Sequence, residues 1–199
     1  MKIFITIFFL LFFTLKASFV DTSVINKVEA KYGKFAKNRF VALNDMLEKS
    51  KNLDVKAKLE KVNDFFNSVK YASDQSIYGT SDYWATPYEF LGRDKGDCED
   101  YVIAKYFALE YLGVPTSKMF LSYVRVKSSN EAHMVLTYFE TPNSVPLVLD
   151  NIRKTIQPAS KRDDLIPVFN FNPNILKGEK TAAHRKWDAL IQSYKGQKI

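Results

Sequence analysis

An α+β fold is the architecture this sequence predicts, with helices first and an antiparallel sheet after them. Three observations carry it. Apolar residues recur every three or four positions in the N-terminal half, as in Val55, Leu59, Val62, Phe66 and Val69. From Met119 the period becomes that of strands, in three runs separated by turn-forming residues. Between the two halves runs one strongly apolar helix that opens at Gly96-Asp97. Helices followed by strands, rather than alternating with them, read as α+β.

Each element has its own signal. Residues from about Ser23 to Ser50 follow a helical pattern through Val28, Tyr32, Phe35, Val41, Met46 and Leu47. The helix through Val55 and Val69 follows. Tyr71 to Trp84 is polar, aromatic and irregular. Thr86-Pro87-Tyr88-Glu89 starts another helix: Thr86 caps, Pro87 takes the first helical position and Glu89 completes a capping box. Asp97 suits the N-cap of the next helix, and Glu99 and Asp100 suit its first turn. That helix continues through Val102, Ile103, Tyr106, Phe107 and Leu109, and Gly113 with Pro115 stops it. Strands are expected over Met119 to Val126, Ala132 to Glu140 and Pro146 to Asp150, with turns at Ser128-Ser129-Asn130 and Pro142-Asn143-Ser144. Pro167 to Asn174 reads as a loop, and Lys180 to Tyr194 as a final helix.

The chain has 199 residues, enough for one domain with a sizeable core. Lys2 precedes a nearly unbroken apolar run from Ile3 to Leu15, and the small residues Ala17 and Ser18 follow. This is the layout of an export signal, expected over residues 1–18, with one domain over 19–199. The run is short of the ~20 apolar residues that span a bilayer, and no second such run occurs. The folded part is therefore expected outside the cytoplasm and soluble. Net charge is +7, and removing Lys2 and Lys16 with the leader leaves about +5. The lysines are scattered, without the basic and aromatic interleaving of a nucleic-acid groove, so no nucleic-acid partner is expected. A lone cysteine excludes an internal disulfide and leaves a buried spectator, a dimer bridge or a reactive thiol.

Cys98 falls in the first turn of the apolar helix. Unsatisfied N–H groups and the helix dipole there favour a thiolate, the nucleophilic form, and can supply an oxyanion hole. His184 lies in a charged tail and reads as a surface residue. His133 lies on the second strand. If the second and third strands form a hairpin in which His133 opposes Asp150, its centre falls between Thr141 and Pro142, inside the predicted turn. That register sets Leu136 against Leu147 and Tyr138 against Val145. Asp150 can then orient the imidazole, which completes a nucleophile, a base and an orienting acid. Asp97, Glu99 and Asp100 put like charge beside a group that must itself turn negative. Helix capping accounts for part of this cluster. A hard cation such as Ca²⁺, which takes several carboxylates, accounts for it better. Zinc is disfavoured, because it would consume the only cysteine.

Several stretches resemble the LapG-type periplasmic proteases of the bacterial transglutaminase-like cysteine proteinases: Trp84-Ala85-Thr86-Pro87-Tyr88-Glu89, Gly96-Asp97-Cys98-Glu99-Asp100-Tyr101, Ala104-Lys105-Tyr106, His133-Met134-Val135-Leu136, Leu149-Asp150-Asn151 and Arg162-Asp163-Asp164-Leu165-Ile166-Pro167-Val168. The resemblance covers roughly residues 60 to 175. It implies a papain/transglutaminase-like core and papain-like chemistry by Cys98, His133 and Asp150. It also implies Ca²⁺ dependence through Asp97, Glu99 and Asp100, and a role for Trp84 at the substrate or oxyanion region. The family cuts large surface adhesins near the N-terminus, at adjacent alanines, and so releases biofilms. An inner-membrane, cyclic-di-GMP-sensing receptor of the LapD type holds it inactive. Those are the substrate and partner expected here. Two other readings stay open: an acyl transferase or deamidase using the same three residues, and a non-catalytic calcium-dependent binding module.

Overall fold

The computed structural model describes residues 18–175 and 180–196. The expected leader, apart from Ser18, lies outside the described residues. Among them, no helix is long and apolar enough to cross a membrane.

Helix α1 (Thr22–Tyr32) is capped by Asp21, whose carboxylate accepts the Val24 N–H at 2.9 Å. Helix α2 (Lys34–Ser50) follows after a break. The single helical pattern expected from Ser23 to Ser50 is thus two helices. Gly33, at φ 84°, makes the break, a conformation that glycine adopts without steric cost. Asp54 caps α3 (Val55–Phe66), which buries Leu59, Val62 and Phe66 as its spacing predicts. The irregular stretch after it contains a two-residue strand β1 (Lys70–Tyr71) and a short helix α4 (Asp74–Tyr78). Helix α5 (Pro87–Arg93) carries the predicted capping box, with both Thr86 and Glu89 hydrogen bonds formed. Strand β2 (Lys95–Gly96) pairs parallel with β1 and delivers the chain into α6 (Cys98–Tyr111).

Every residue of α6 from Asp100 to Leu109 is buried, as expected for a helix that is apolar on all sides. It packs on α3 and α5 on one side and on the sheet on the other. The sheet is antiparallel and contains β3 (Met119–Val126), β4 (Ala132–Tyr138), β5 (Leu147–Leu149), β6 (Gln157–Pro158) and β7 (Leu165–Phe171), in the order β6-β5-β4-β3-β7. Met134, Leu136, Tyr138 and Leu149 join the helices in the main core. On the other face Val124, Val135 and Val148 form a smaller cluster under Ala159 and Leu165. Helix α7 (Ala182–Lys195) closes the molecule, with Trp187 stacked on Phe107 of α6 at 5.5 Å.

Two further sequence expectations change. The loop expected from Pro167 begins as the edge strand β7. A proline removes one ladder donor, which an edge strand tolerates, and Val168 is skipped in a one-residue slip against Tyr123 and Val124. The β4–β5 hairpin pairs Leu136 with Leu149 and Tyr138 with Leu147. This is a two-residue shift from the expected register, centred between Pro142 and Asn143. A shift of two leaves every side chain on its own face, so alternation alone could not fix it.

Candidate active site

Cys98 opens α6 at one end of a cleft. Cys98, His133, Trp84, Glu99, Tyr123, Met134 and Lys186 border one hollow of about 230 Å³. Cys98 and His133 also border a second hollow of about 380 Å³, with Tyr71, Val126, Asn151 and Ile152. Cys98 and His133 therefore lie where the two hollows meet.

His133 is buried, and its Nε2 lies 2.9 Å from Asp150 Oδ1. With the observed register Asp150 follows β5 diagonally across from His133 rather than directly opposite, a separation that longer side chains still bridge. The bond to Asp150 occupies Nε2, one of the two ring nitrogens. Asp150 is held on three further sides. Its Oδ1 accepts the Ile152 N–H at 2.9 Å, its Oδ2 accepts Arg162 Nη2 at 2.6 Å, and its backbone carbonyl accepts Asn67 Nδ2 at 2.8 Å. Burial alone would raise its pKa. The hydrogen bond and charge of His133, then the Ile152 N–H and Arg162, outweigh burial and hold the carboxyl well below the usual range. Arg162 is itself buried and forks onto Asp164 with two bonds of 2.9 Å.

The acidic cluster is organised differently from its sequence order. Asp97 occupies the N-cap position but makes no side-chain cap, so capping does not account for it. Its carboxylate and that of Asp100 converge with Asp74, from α4, to within 4.8 Å, while Glu99 converges with Asp74 and Asp82. Asp74 Oδ1, Asp97 Oδ1 and Asp100 Oδ2 are buried without a hydrogen-bond partner among the described residues. Asp74 and Asp100 are buried residues. Burial, then the neighbouring Glu99 and Asp100 charges, push Asp97 up to about 9. Burial raises Asp74 and Asp100 as well. Orphaned, mutually repelling carboxylate oxygens of this kind fit a hard cation with oxygen ligands, and Ca²⁺ is the match in ligand type. Gly96 permits the approach: a Cβ there would lie 2.5 Å from Asp100 Oδ2. Asp100 Oδ1 also accepts the Ala85 N–H at 2.8 Å, which ties Trp84 to the first turn of α6.

Cys98 donates its S–H to Glu99 Oε2 at 3.1 Å. Burial, then the Glu99 charge, raises the thiol pKa well above its ordinary value. Burial first, and the Glu99 and Asp97 charges after it, favour the neutral form of the thiol.

The sequence profile of the bacterial transglutaminase-like cysteine proteinases, BTLCP, matches residues 34–164. The chain belongs to this family. Solved structures agree. Legionella pneumophila LapG is 40% identical over 88% of this chain and 98% of its own, with a TM-score of 0.75. The EGTA-treated form of that protein is 39% identical at the same coverage, with a TM-score of 0.75. Its calcium-bound form is 40% identical over 88% of this chain and 99% of its own, with a TM-score of 0.74. No curated protein sequence gives a significant match. This bacterial transglutaminase-like cysteine proteinase thus has the α+β architecture expected, with Cys98 at the start of the buried helix.

Of the residues read from sequence, Cys98, His133, Asp150 and Trp84 meet at or behind one cleft, and Asp97, Glu99 and Asp100 lie beside it. Sequence reasoning missed Asp74, Asp82, Arg162 and Lys186. Asp74 and Asp82 sit in the irregular stretch, where no local period points to them. Arg162 stood inside a stretch of family resemblance without a role. Lys186 comes from α7, pairs with Asp82 and lies over the Trp84 ring.

Proposed function

We propose that this proteinase is a calcium-dependent endopeptidase in which Cys98 is the nucleophile, His133 the base and Asp150 the orienting acid. The observation that carries this reading is the held His133–Asp150 pair at the cleft that Cys98 opens. Cys98 Sγ attacks the scissile carbonyl carbon as its proton passes to His133 Nδ1. The oxyanion meets the N–H groups of the first turn of α6, with Trp84 beside it. Collapse of the tetrahedral species breaks the C–N bond, and His133 returns the proton to the leaving amine. Water then attacks the thioester, giving its proton to His133, and restores the thiol as the acid product leaves. Asp150, fixed by Arg162 and the Ile152 N–H, keeps the ring oriented and supports the imidazolium.

Asp74, Asp97 and Asp100, with Glu99 and Asp82 adjoining, would hold Ca²⁺. Bound there, the ion would supply the positive charge that these carboxylates lack and so offset the Glu99 and Asp97 charges that add to burial in raising the Cys98 thiol. The likeness to Legionella LapG, one of whose structures is calcium-bound, supports this reading. It also supports action after export in the periplasm, through the leader over residues 1–18. There the substrate is the N-terminal region of a large surface adhesin, whose cleavage releases a biofilm. A cyclic-di-GMP-sensing inner-membrane receptor of the LapD type restrains the enzyme. The domain is taken as residues 19–199.

The test is cleavage of an adhesin N-terminal fragment by residues 19–199, with Ca²⁺, with excess chelator, and with Cys98→Ala. Calcium-dependent cutting that Cys98→Ala abolishes is the expected result. Cutting that survives the chelator would remove the calcium requirement, and cutting by Cys98→Ala would remove the nucleophile.

A further inference from the structure

Lys105 lies on α6 seven residues beyond Cys98, two turns along the same helix. It is 0% exposed. Its ammonium makes no ion pair among the described residues. Nζ donates instead to Asn63 Oδ1 at 2.9 Å and Asn67 Oδ1 at 2.8 Å. Both asparagines are buried, and they are spaced i,i+4 along and just past α3, so they face the same way.

The chemistry of the three side chains fixes their orientation. An ammonium is a donor only, whereas a primary amide offers an acceptor at one end and two donors at the other. Lys105 therefore turns both amide oxygens inward and both NH₂ groups outward. The outward groups meet backbone carbonyls: Asn63 Nδ2 donates to Lys154 O at 2.6 Å, and Asn67 Nδ2 to Asp150 O at 2.8 Å. A continuous path thus runs from the nucleophile's helix through Lys105 and Asn67 to the backbone of the acid that holds His133. Stability does not account for the lysine, since a buried charge is often no better than a packed apolar side chain of similar volume. Burial in fact pushes Lys105 down to about 7, against the charges of Asp150 and Asp64.

We propose that Lys105 and Asn67 are positioning residues for peptide cleavage: they lock the Asp150 backbone to the Cys98 helix and so keep the imidazole in line with the sulfur. Arg162 grips Asp150 by its carboxylate, and Asn67 grips it by its backbone carbonyl. The inference rests on the reading of Cys98, His133 and Asp150 as nucleophile, base and acid.

The experiment uses residues 19–199 in saturating Ca²⁺, with a fluorogenic peptide selected from a random library by wild-type cleavage. It reads kcat and KM separately, together with the thermal midpoint. Asn67→Asp keeps the size and still accepts from Lys105, but it sets an acceptor against the Asp150 carbonyl. Its kcat is expected to fall about 10- to 100-fold, the scale on which small misplacements of reacting groups act, and KM to stay within about twofold, because ground-state binding is untouched. Lys105→Met, which leaves the amides free to turn, is expected to lower kcat with KM and the midpoint held. It decides the matter if Asn67→Asp does not fold. Asn63→Asp makes the same change at the same lysine but faces Lys154, and it is expected to keep the wild-type kcat.

Wild-type kcat in both Asn67→Asp and Lys105→Met would overturn the inference. So would an Asn63→Asp loss equal to that of Asn67→Asp, which would point to a general effect of a new buried carboxylate. Asp150→Asn separates the two levels. If it loses kcat while Asn67→Asp does not, only the positioning falls. If Asp150→Asn keeps the wild-type kcat, the role of the acid falls and the positioning with it.

Discussion

Replacing Arg162 with methionine removes a buried cation from a buried carboxylate and leaves the rest of the site in place. Among the described residues, Asp150 Oδ2 accepts from Arg162 alone, at 2.6 Å, whereas Oδ1 keeps His133 and Ile152. Breaking a buried pair by removing one partner costs about 3–5 kcal/mol. The two bonds kept by Oδ1 place this case at the lower end, about 3 kcal/mol. The bonds to Asp164 add under about 1 kcal/mol, because that side chain is 30% exposed. The sum is about 3–4 kcal/mol, which for a chain of this size lowers the thermal midpoint by about 6–16 °C. Asp150 has a depressed folded-state pKa, so its contribution is fully present above the unfolded carboxylate value and is lost as pH falls through that value toward the folded one. Urea unfolding of wild type and Arg162→Met is therefore expected to show the full difference at pH 7 and most of it at pH 4, where the depressed Asp150 carboxyl is still ionised, the difference shrinking only at lower pH as that carboxyl is protonated in the folded state. A difference already lost at pH 4 would refute the charge argument for Arg162. A difference below about 1 kcal/mol at pH 7 would refute the pairing itself.

Asp74→Asn removes the carboxylate shared by both acidic groups. Its Ca²⁺ affinity, measured by titration calorimetry, is expected to fall about tenfold or more, and an unchanged Kd would take Asp74 out of the site. Gly96→Ala puts a Cβ 2.5 Å from both Asp100 Oδ2 and a Phe90 ring carbon. It is expected to cost about 1–3 kcal/mol in chemical denaturation, and a midpoint equal to wild type would show that the strand entering α6 has room to spare.

What the sequence disclosed follows from how local each signal is. The capping box at Thr86 and Glu89, the apolar spacing of α3 and the all-round burial of α6 are written within a turn or two of chain, and the structure has each of them. Asp74 reaches the acidic group from more than twenty residues away, and Arg162 meets Asp150 from twelve residues on, through tertiary folding alone. The hairpin register differs by two residues from the one the sequence suggests, because the period of a strand is two and either register buries the same faces. The edge strand β7 was hidden by Pro167 and Asn170, residues more common in loops. Lys105 stood in a stretch of family resemblance, but nothing near it in sequence announces the two asparagines that it orients.

Among the described residues no strand pairs with the outer side of β7, and this margin of the sheet bears on how the protein behaves at high concentration. Ile166, Val168 and Phe169 all reach solvent there, and an apolar, unpaired sheet edge is a template for another copy to add a strand. Pro167 interrupts that template, since it has no N–H to offer. The slip at Val168 bends the ladder beside it. The same two irregularities that hid the strand in the sequence keep its outer side from serving as a straight seam for self-association.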